Sequence, residues 1–160
     1  MKLTKASLKD VFEVQEFVGQ LDGLVQHPVH FYNIMIRYFR NTFFIRKDEN
    51  KIIGFVWGFV SQTEPDVLFL WQIGLAESHR GSGISRQLME VFIEAARENN
   101  CRKVHATVET KNIASCKLFE KMRFRNISSG NTLIENGRKA IINYYGSGTN
   151  QVLYEYAVSN

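Results

Sequence analysis

The chain has 160 residues, 44% of them hydrophobic, enough for one domain spanning 1–160 with a substantial core. Lys and Arg number 20 against 16 Asp and Glu, but they are scattered and form no stripe with interleaved aromatics, so nucleic acid is not an expected partner. No uncharged apolar run approaches a membrane span and MKLTKAS is no apolar leader, so a cytoplasmic chain without a membrane partner is expected.

Cys101 and Cys116 lack a metal or redox spacing, so no metal site is expected. Leu3 and its neighbours suit a short strand. Ser7 is a candidate N-cap for an amphipathic helix carried by Leu8, Val11, Phe12 and Val18 and stopped at Leu21-Asp22-Gly23. A second helix is predicted over 28–39, with Pro28 in its first turn and Phe31, Ile34, Met35 and Tyr38 on one face. Residues 42–46 read as a strand, 47–50 as a turn, and 51–61 as a longer strand with Gly54 and Gly58 on one face and Phe55, Trp57 and Phe59 on the other. Two glycines on one strand face mark close backbone approach or a bulge.

Residues 68–85 run from an apolar strand through a polar turn into Arg80-Gly81-Ser82-Gly83-Ile84-Ser85. Glycines let that backbone turn tightly and approach a ligand, and the free N–H groups of a helix start face negative charge. Ile84, Leu88, Met89, Phe92, Ala95 and Ala96 then recur at helical spacing, which predicts an amphipathic helix over 85–99. Gly74 marks either a bulge or a plain glycine in the preceding strand. A strand over 103–108 leads to Asn112, a helix start, and 124–160 is strand-like with turns at Gly130, Gly137 and Gly146-Ser147-Gly148, closing on a strand over 151–158.

The loop resembles the acyl-CoA motif Gln/Arg-x-x-Gly-x-Gly/Ala of the GNAT superfamily of N-acetyltransferases, with Arg80, Gly83 and Ser85 in its marked places; Ser85 departs from the usual Gly or Ala. The run Asn112-Ile113-Ala114-Ser115-Cys116-Lys117-Leu118-Phe119 is similar to a second marker of that family. The resemblance implies an α/β (α+β) GNAT fold, a mixed and mostly antiparallel central sheet with helices on both faces and strands splayed at the cofactor site. It implies acetyl-CoA as co-substrate, held by Arg80, Gly81, Ser82, Gly83, Ile84 and Ser85 at the pyrophosphate. Ile73, Gly74 and Leu75, with Asn112, Ser115 and Phe119, would lie along the pantetheine arm. A homodimer is a further expectation from the family.

Within the family, Gly54-Phe55-Val56, Pro65-Asp66-x-Leu68-Phe69-x-Trp71-Gln72 and the Asn112 run resemble the diaminobutyrate acetyltransferases of ectoine synthesis. Leu24-Val25-Gln26-His27-Pro28 and Asn150-Gln151 depart from that group, and both departures remove candidate anions. A buried ammonium needs carboxylate or carbonyl partners. The expectation is therefore N-acetylation of a small-molecule primary amine by direct attack, with 2,4-diaminobutyrate a poor acceptor. Asp22, His27, Tyr32, Trp57 and Trp71 are the candidate acceptor-site residues. An acyl-CoA sensor without efficient catalysis is the alternative.

A protonated amine must lose a proton before it attacks. Glu109, at the end of a strand, is either that base or a solvated loop carboxylate; Gln72 could hold a water that relays the proton. His27, His30 and His105 are further candidates. Phe119 stands where many family members have a tyrosine acid. Tyr144, Tyr145 or Tyr154 replaces it, or the leaving thiolate takes its proton from water, the route the acidity of a thiol favours.

Overall fold

The computed structural model describes residues 2–159. Ser7 begins the first helical segment, its N–H and hydroxyl both donating to the Asp10 carboxylate at 2.8 and 2.7 Å. A 3-10 turn over Leu8–Asp10 follows, then α1 (Val11–Gly19), and α2 (Val29–Tyr38) begins after extended Pro28. The strands are β1 (Lys2–Lys5), β2 (Phe43–Asp48), β3 (Lys51–Val60), β4 (Val67–Leu75), β5 (Lys103–Glu109), β6 (Arg125–Asn126), β7 (Thr132–Glu135), β8 (Arg138–Ile141) and β9 (Gln151–Ala157). Between them run α3 (Ile84–Glu98) and α4 (Ile113–Lys121).

They make one sheet in the order β1-β2-β3-β4-β5-β9-β8-β7, with β6 also paired to β9. All pairings are antiparallel except β4 with β5. The mixed, mostly antiparallel sheet is thus as expected. The region after α4 holds β6 and the β7–β8 hairpin besides the closing strand, and the hairpin turns through Asn136 and Gly137 at φ 50° and 74°. The β2–β3 turn is confined to Glu49 and Asn50, at φ 44° and 69°, so both strands are longer at that end than their composition suggests.

Helices cover both faces. On one, α1 and α2 pack Val14, Phe17, Val18, Tyr32 and Ile36 onto Phe43, Ile45, Phe55 and Trp57. On the other, α3 and α4 pack Leu88, Met89, Phe92, Cys116 and Phe119 onto Phe44, Val56, Leu68, Leu70, Val104 and Val108. The glycines of β3 make room for α3. A Cβ on Gly58 would stand 1.9 Å from the Phe69 carbonyl oxygen and 2.8 Å from the Phe92 ring, and one on Gly54 3.1 Å from Leu88.

Gly74 marks no bulge: it pairs in register with Phe55. It is glycine because a Cβ would come within 2.6–3.0 Å of Leu21, Phe55 and Leu24, the residues that seat the α1–α2 connection. The irregularity in β4 falls three residues earlier. Trp57 pairs with Gln72 and Gly58 with Leu70, so Trp71 is the extra residue.

Candidate active site

The β4–β5 pairing runs from Val67↔Lys103 to Leu70↔Ala106 and stops, although β4 continues to Leu75 and β5 to Glu109. Beyond Leu70 the two strands diverge. The Ala76 N–H donates to the Ile53 carbonyl on the β3 side, and alternation then turns Ile73 and Leu75 toward the unpaired edge. A ligand chain laid along that edge would find strand-type donors and acceptors there.

The divergence opens into a cleft of about 650 Å³. One wall is Phe69, Leu70, Trp71, Gln72 and Ile73 of β4, and the facing wall Thr107, Val108 and Glu109 of β5. Asn112, Ser115 and Phe119, successive inward positions of α4, form its floor. Asn112 also caps that helix, its Oδ1 accepting from the Ser115 N–H at 3.1 Å, so the cap and the cleft lining coexist. The α1–α2 connection contributes Asp22, Gly23, Leu24, Val25 and His27.

Strict alternation would turn Trp71 and Gln72 to opposite faces of the sheet. The bulge at Trp71 resets the phase, so both line the cleft on the α1–α2 side. Trp71 remains 42% exposed and meets the Phe59, Trp57 and His27 rings at 6.0, 5.9 and 6.4 Å. Gln72 is buried. Its Nε2 donates to the Val25 carbonyl at 3.1 Å and its Oε1 takes the Trp57 indole N–H at a long 3.5 Å. Gln72 thus ties the α1–α2 connection to the sheet, a fixed use of an amide expected only to hold a water.

Tyr32 and Trp57, expected as walls for an acceptor, stand behind the lining. Both are buried, Tyr32 with its hydroxyl accepting from the His27 N–H at 3.1 Å and Trp57 stacked on Phe43. Burial pushes the Tyr32 hydroxyl up from its ordinary value, against the opposing effect of that bond. Among the tyrosines, Tyr154 is removed from the cleft. Its hydroxyl donates to Glu120 at 3.0 Å and its ring stacks beneath Phe119 at 5.5 Å. Burial first, then the charges around Cys116 and Glu120, hold its proton tightly. Tyr145 does line the cleft, bonded to the Thr107 hydroxyl at 2.8 Å. Of the other histidines, His105 pairs with Glu155 at 3.1 Å and His30 is exposed.

The glycine loop lies outside the cleft lining and leads into α3. Gly81 and Gly83 are left-handed, at φ 75° and 83°, and a Cβ at either would meet no protein atom within 4 Å. The backbone conformation, rather than crowding, calls for glycine there, and the loop stays open to an incoming anion. Gly83 is the N-cap of α3, and the first-turn N–H groups of Ile84 and Ser85 lack helical partners. Ser82 bonds back to the His79 carbonyl and Arg80 reaches Glu77 at 3.4 Å on the surface. An open left-handed loop, a helix start, a splayed strand and a cleft are thus joined along β4 and α3.

The profile of the acetyltransferase (GNAT) family matches residues 8–124. This chain belongs to the GNAT acetyltransferases. The L-2,4-diaminobutyric acid acetyltransferase of Shouchella clausii is 34% identical over 122 residues, covering 76% of this chain and 68% of that protein. The enzyme of the same name from Halalkalibacterium halodurans is 37% identical over 118 residues, covering 74% of this chain and 62% of that protein, so the match spans roughly two thirds of such relatives. Among solved structures, the diaminobutyrate acetyltransferase of Paenibacillus lautus, in complex with L-2,4-diaminobutyric acid and coenzyme A, superposes with a TM-score of 0.76 at 22% identity, over 99% of this chain and 96% of that one. Ard1 of Thermoplasma volcanium superposes at 0.79 and 21% identity, over 99% and 98%. These two show the shared fold.

Acetyl-CoA is the acetyl donor of a GNAT enzyme, and the features of this chain fit it: an open anion cradle at Gly81 and Gly83 and free strand amides at Ile73 and Leu75. Lys111, Thr107 and Gln151 also line the cleft and were not singled out as site residues from sequence. Thr107 was legible, since it shares a strand face with Glu109 at a spacing of two. Gln151 became a neighbour through the β5–β9 register, where it stands opposite Glu109.

Proposed function

We propose that this chain transfers the acetyl group of acetyl-CoA to one amine of a small amino acid that carries a second amine, with 2,4-diaminobutyrate its most suitable acceptor. The observation that carries the reading is the charge pattern of the cleft. Asp22 from the α1–α2 connection and Glu109 from β5 line one space, with Lys111 beside them. Two carboxylates and one ammonium complement an acceptor with two ammonium groups and one carboxylate.

The reading replaces the expectation that 2,4-diaminobutyrate is a poor acceptor. That expectation counted the acids lost at 24–28 and 150–151, whereas Asp22 and Glu109 are two other carboxylates that line the cleft. The names of the relatives agree with it. A charged hydrogen bond to the non-reacting ammonium contributes about 1.5–3 kcal/mol, so a monoamine should lose about 10–100-fold in kcat/KM. Ile73 and Leu75 N–H groups would stabilise the charge that develops on the acetyl oxygen.

The experiment is CoA release with acetyl-CoA and a panel of diamino acids, diamines and monoamines at matched concentration. Highest kcat/KM for 2,4-diaminobutyrate, reduced by Asp22→Asn or Glu109→Gln, is the expected result. A monoamine that ranks first would sink the proposed acceptor, and no CoA release with any amine would favour a sensor instead.

A further inference from the structure

We infer that His27 takes the proton from the acceptor nitrogen as that nitrogen is acetylated, an inference that rests on reading the cleft as the acceptor site. His27 lines the cleft from the connection between α1 and α2. Its position is fixed at several points. The backbone N–H donates to the Tyr32 hydroxyl, the carbonyl accepts from Gln15 Nε2 at 3.0 Å, and the ring lies 4.1 Å from that of Phe31 at 35°. Tyr32 and Trp71 add ring contacts at 6.2 and 6.4 Å.

The ring nitrogens differ. Nε2 is buried and has no hydrogen-bond partner among the described residues. Packed among aromatic rings, an N–H is attracted to the π electrons and a lone pair is repelled. Nε2 therefore carries the ring proton, which leaves the lone pair on Nδ1, the one ring nitrogen left to serve the cleft that His27 lines. Desolvation lowers the imidazole below its ordinary 6.5, so it is neutral and able to accept a proton at pH 7.

The other ionisable groups lining this space are Asp22 from the same connection, Glu109 and Lys111 from β5 and its end, and Tyr145 from the β8–β9 connection, with buried Tyr32 of α2 against the His27 backbone behind them. Asp22 and Glu109 serve the second ammonium, and Tyr145 is committed to Thr107. The acceptor enters as free amine, having lost a proton to solvent. As its nitrogen bonds to the acetyl carbon it becomes cationic and acidic, and Nδ1 accepts one proton. The C–S bond breaks with its electron pair going to sulfur, and the imidazolium proton passes through solvent to the thiolate. The products are the amide and the free thiol, with His27 neutral again.

The test uses the full chain, with kcat/KM for 2,4-diaminobutyrate followed against pH. Loss of the acceptor's own proton gives log kcat/KM a slope of ~1, and protonation of His27 steepens it to ~2 on the acid side. His27→Asn and His27→Gln should remove the steeper limb, lower kcat about 10²–10⁴-fold, and leave acetyl-CoA affinity unchanged by calorimetry. Added imidazole should restore part of the rate. Wild-type kcat with the steep limb retained in either variant overturns the inference. NMR titration of the wild-type ring supplies an arm that needs no variant: a neutral ring at pH 7 with its proton on Nε2 supports the assignment, and an imidazolium or an Nδ1–H tautomer overturns it. Failure of the acceptor reading looks different, because the wild-type chain itself would then prefer a monoamine or release no CoA with any amine.

Discussion

Gln72→Ala separates the scaffold of the proposed acceptor site from its chemistry. The wild-type amide is buried, donates to the Val25 carbonyl at 3.1 Å and accepts from the Trp57 indole at 3.5 Å. Val25 is 67% exposed, so water can replace the bond to its carbonyl and that loss costs about 0.5–1 kcal/mol. The indole N–H belongs to a side chain only 1% exposed, and stranding it costs about 1 kcal/mol, the low end of the range because the bond is long. Together these come to about 2 kcal/mol, or a fall in Tm of about 4–8 °C for a chain of this size. The function should suffer selectively. The α1–α2 connection carries Asp22 and His27, whereas the glycine loop and α4 are anchored elsewhere, so KM for the amine should rise and acetyl-CoA affinity should hold. Gln72→Glu refines the point, because a carboxylate can accept from Trp57 but, ionised, cannot donate to Val25. Urea denaturation and initial-rate kinetics on both variants decide it. A Gln72→Ala protein within 0.5 kcal/mol of wild type, with an unchanged KM for the amine, would refute the idea that this amide holds the acceptor side together.

Gly83→Val should weaken acetyl-CoA binding in a chain that still folds. The residue sits at φ 83° with open space around it, so the stability cost is the left-handed strain of about 1–2 kcal/mol, while anion-facing amides are displaced; calorimetry showing wild-type affinity would take the loop out of the cofactor site. Stability should also fall on acidification in two stages. His27, lowered by burial, favours the folded state above its ordinary 6.5 and loses that contribution as the unfolded chain protonates below it. Glu120, lowered chiefly by its paired bonds from Arg138 at 2.6 and 2.9 Å, contributes above its ordinary 4.5 and loses its contribution as pH falls through its folded value. Urea midpoints against pH should show both stages, with the first absent in His27→Asn and the second reduced in Glu120→Gln, since Asp10, Glu135 and Glu155 are lowered as well.

Most of the layout was legible in the chain itself, because it rests on local rules. Hydrophobic spacing in 84–98 sets the buried face of α3, Asn112 caps α4, and glycines at 81 and 83 provide backbone that other residues rarely adopt. Those are properties of neighbours along the chain. The proposed acceptor site depended on distant pairings. One extra residue in β4 turned both Trp71 and Gln72 to the cleft, a change of phase that no alternation pattern contains. Asp22 and Glu109 line one cleft because the fold sets the α1–α2 connection beside the splayed strands, although the two lie far apart in sequence. Tyr154 looked as available as Tyr145, yet register placed it beneath Phe119 and gave its hydroxyl to Glu120, while Tyr145 reached the cleft from a loop. Sequence alone determined the fold, the glycine loop ahead of α3 and the family resemblance; the tertiary structure decided which charges share a cavity, since charge complementarity is set by distance through space.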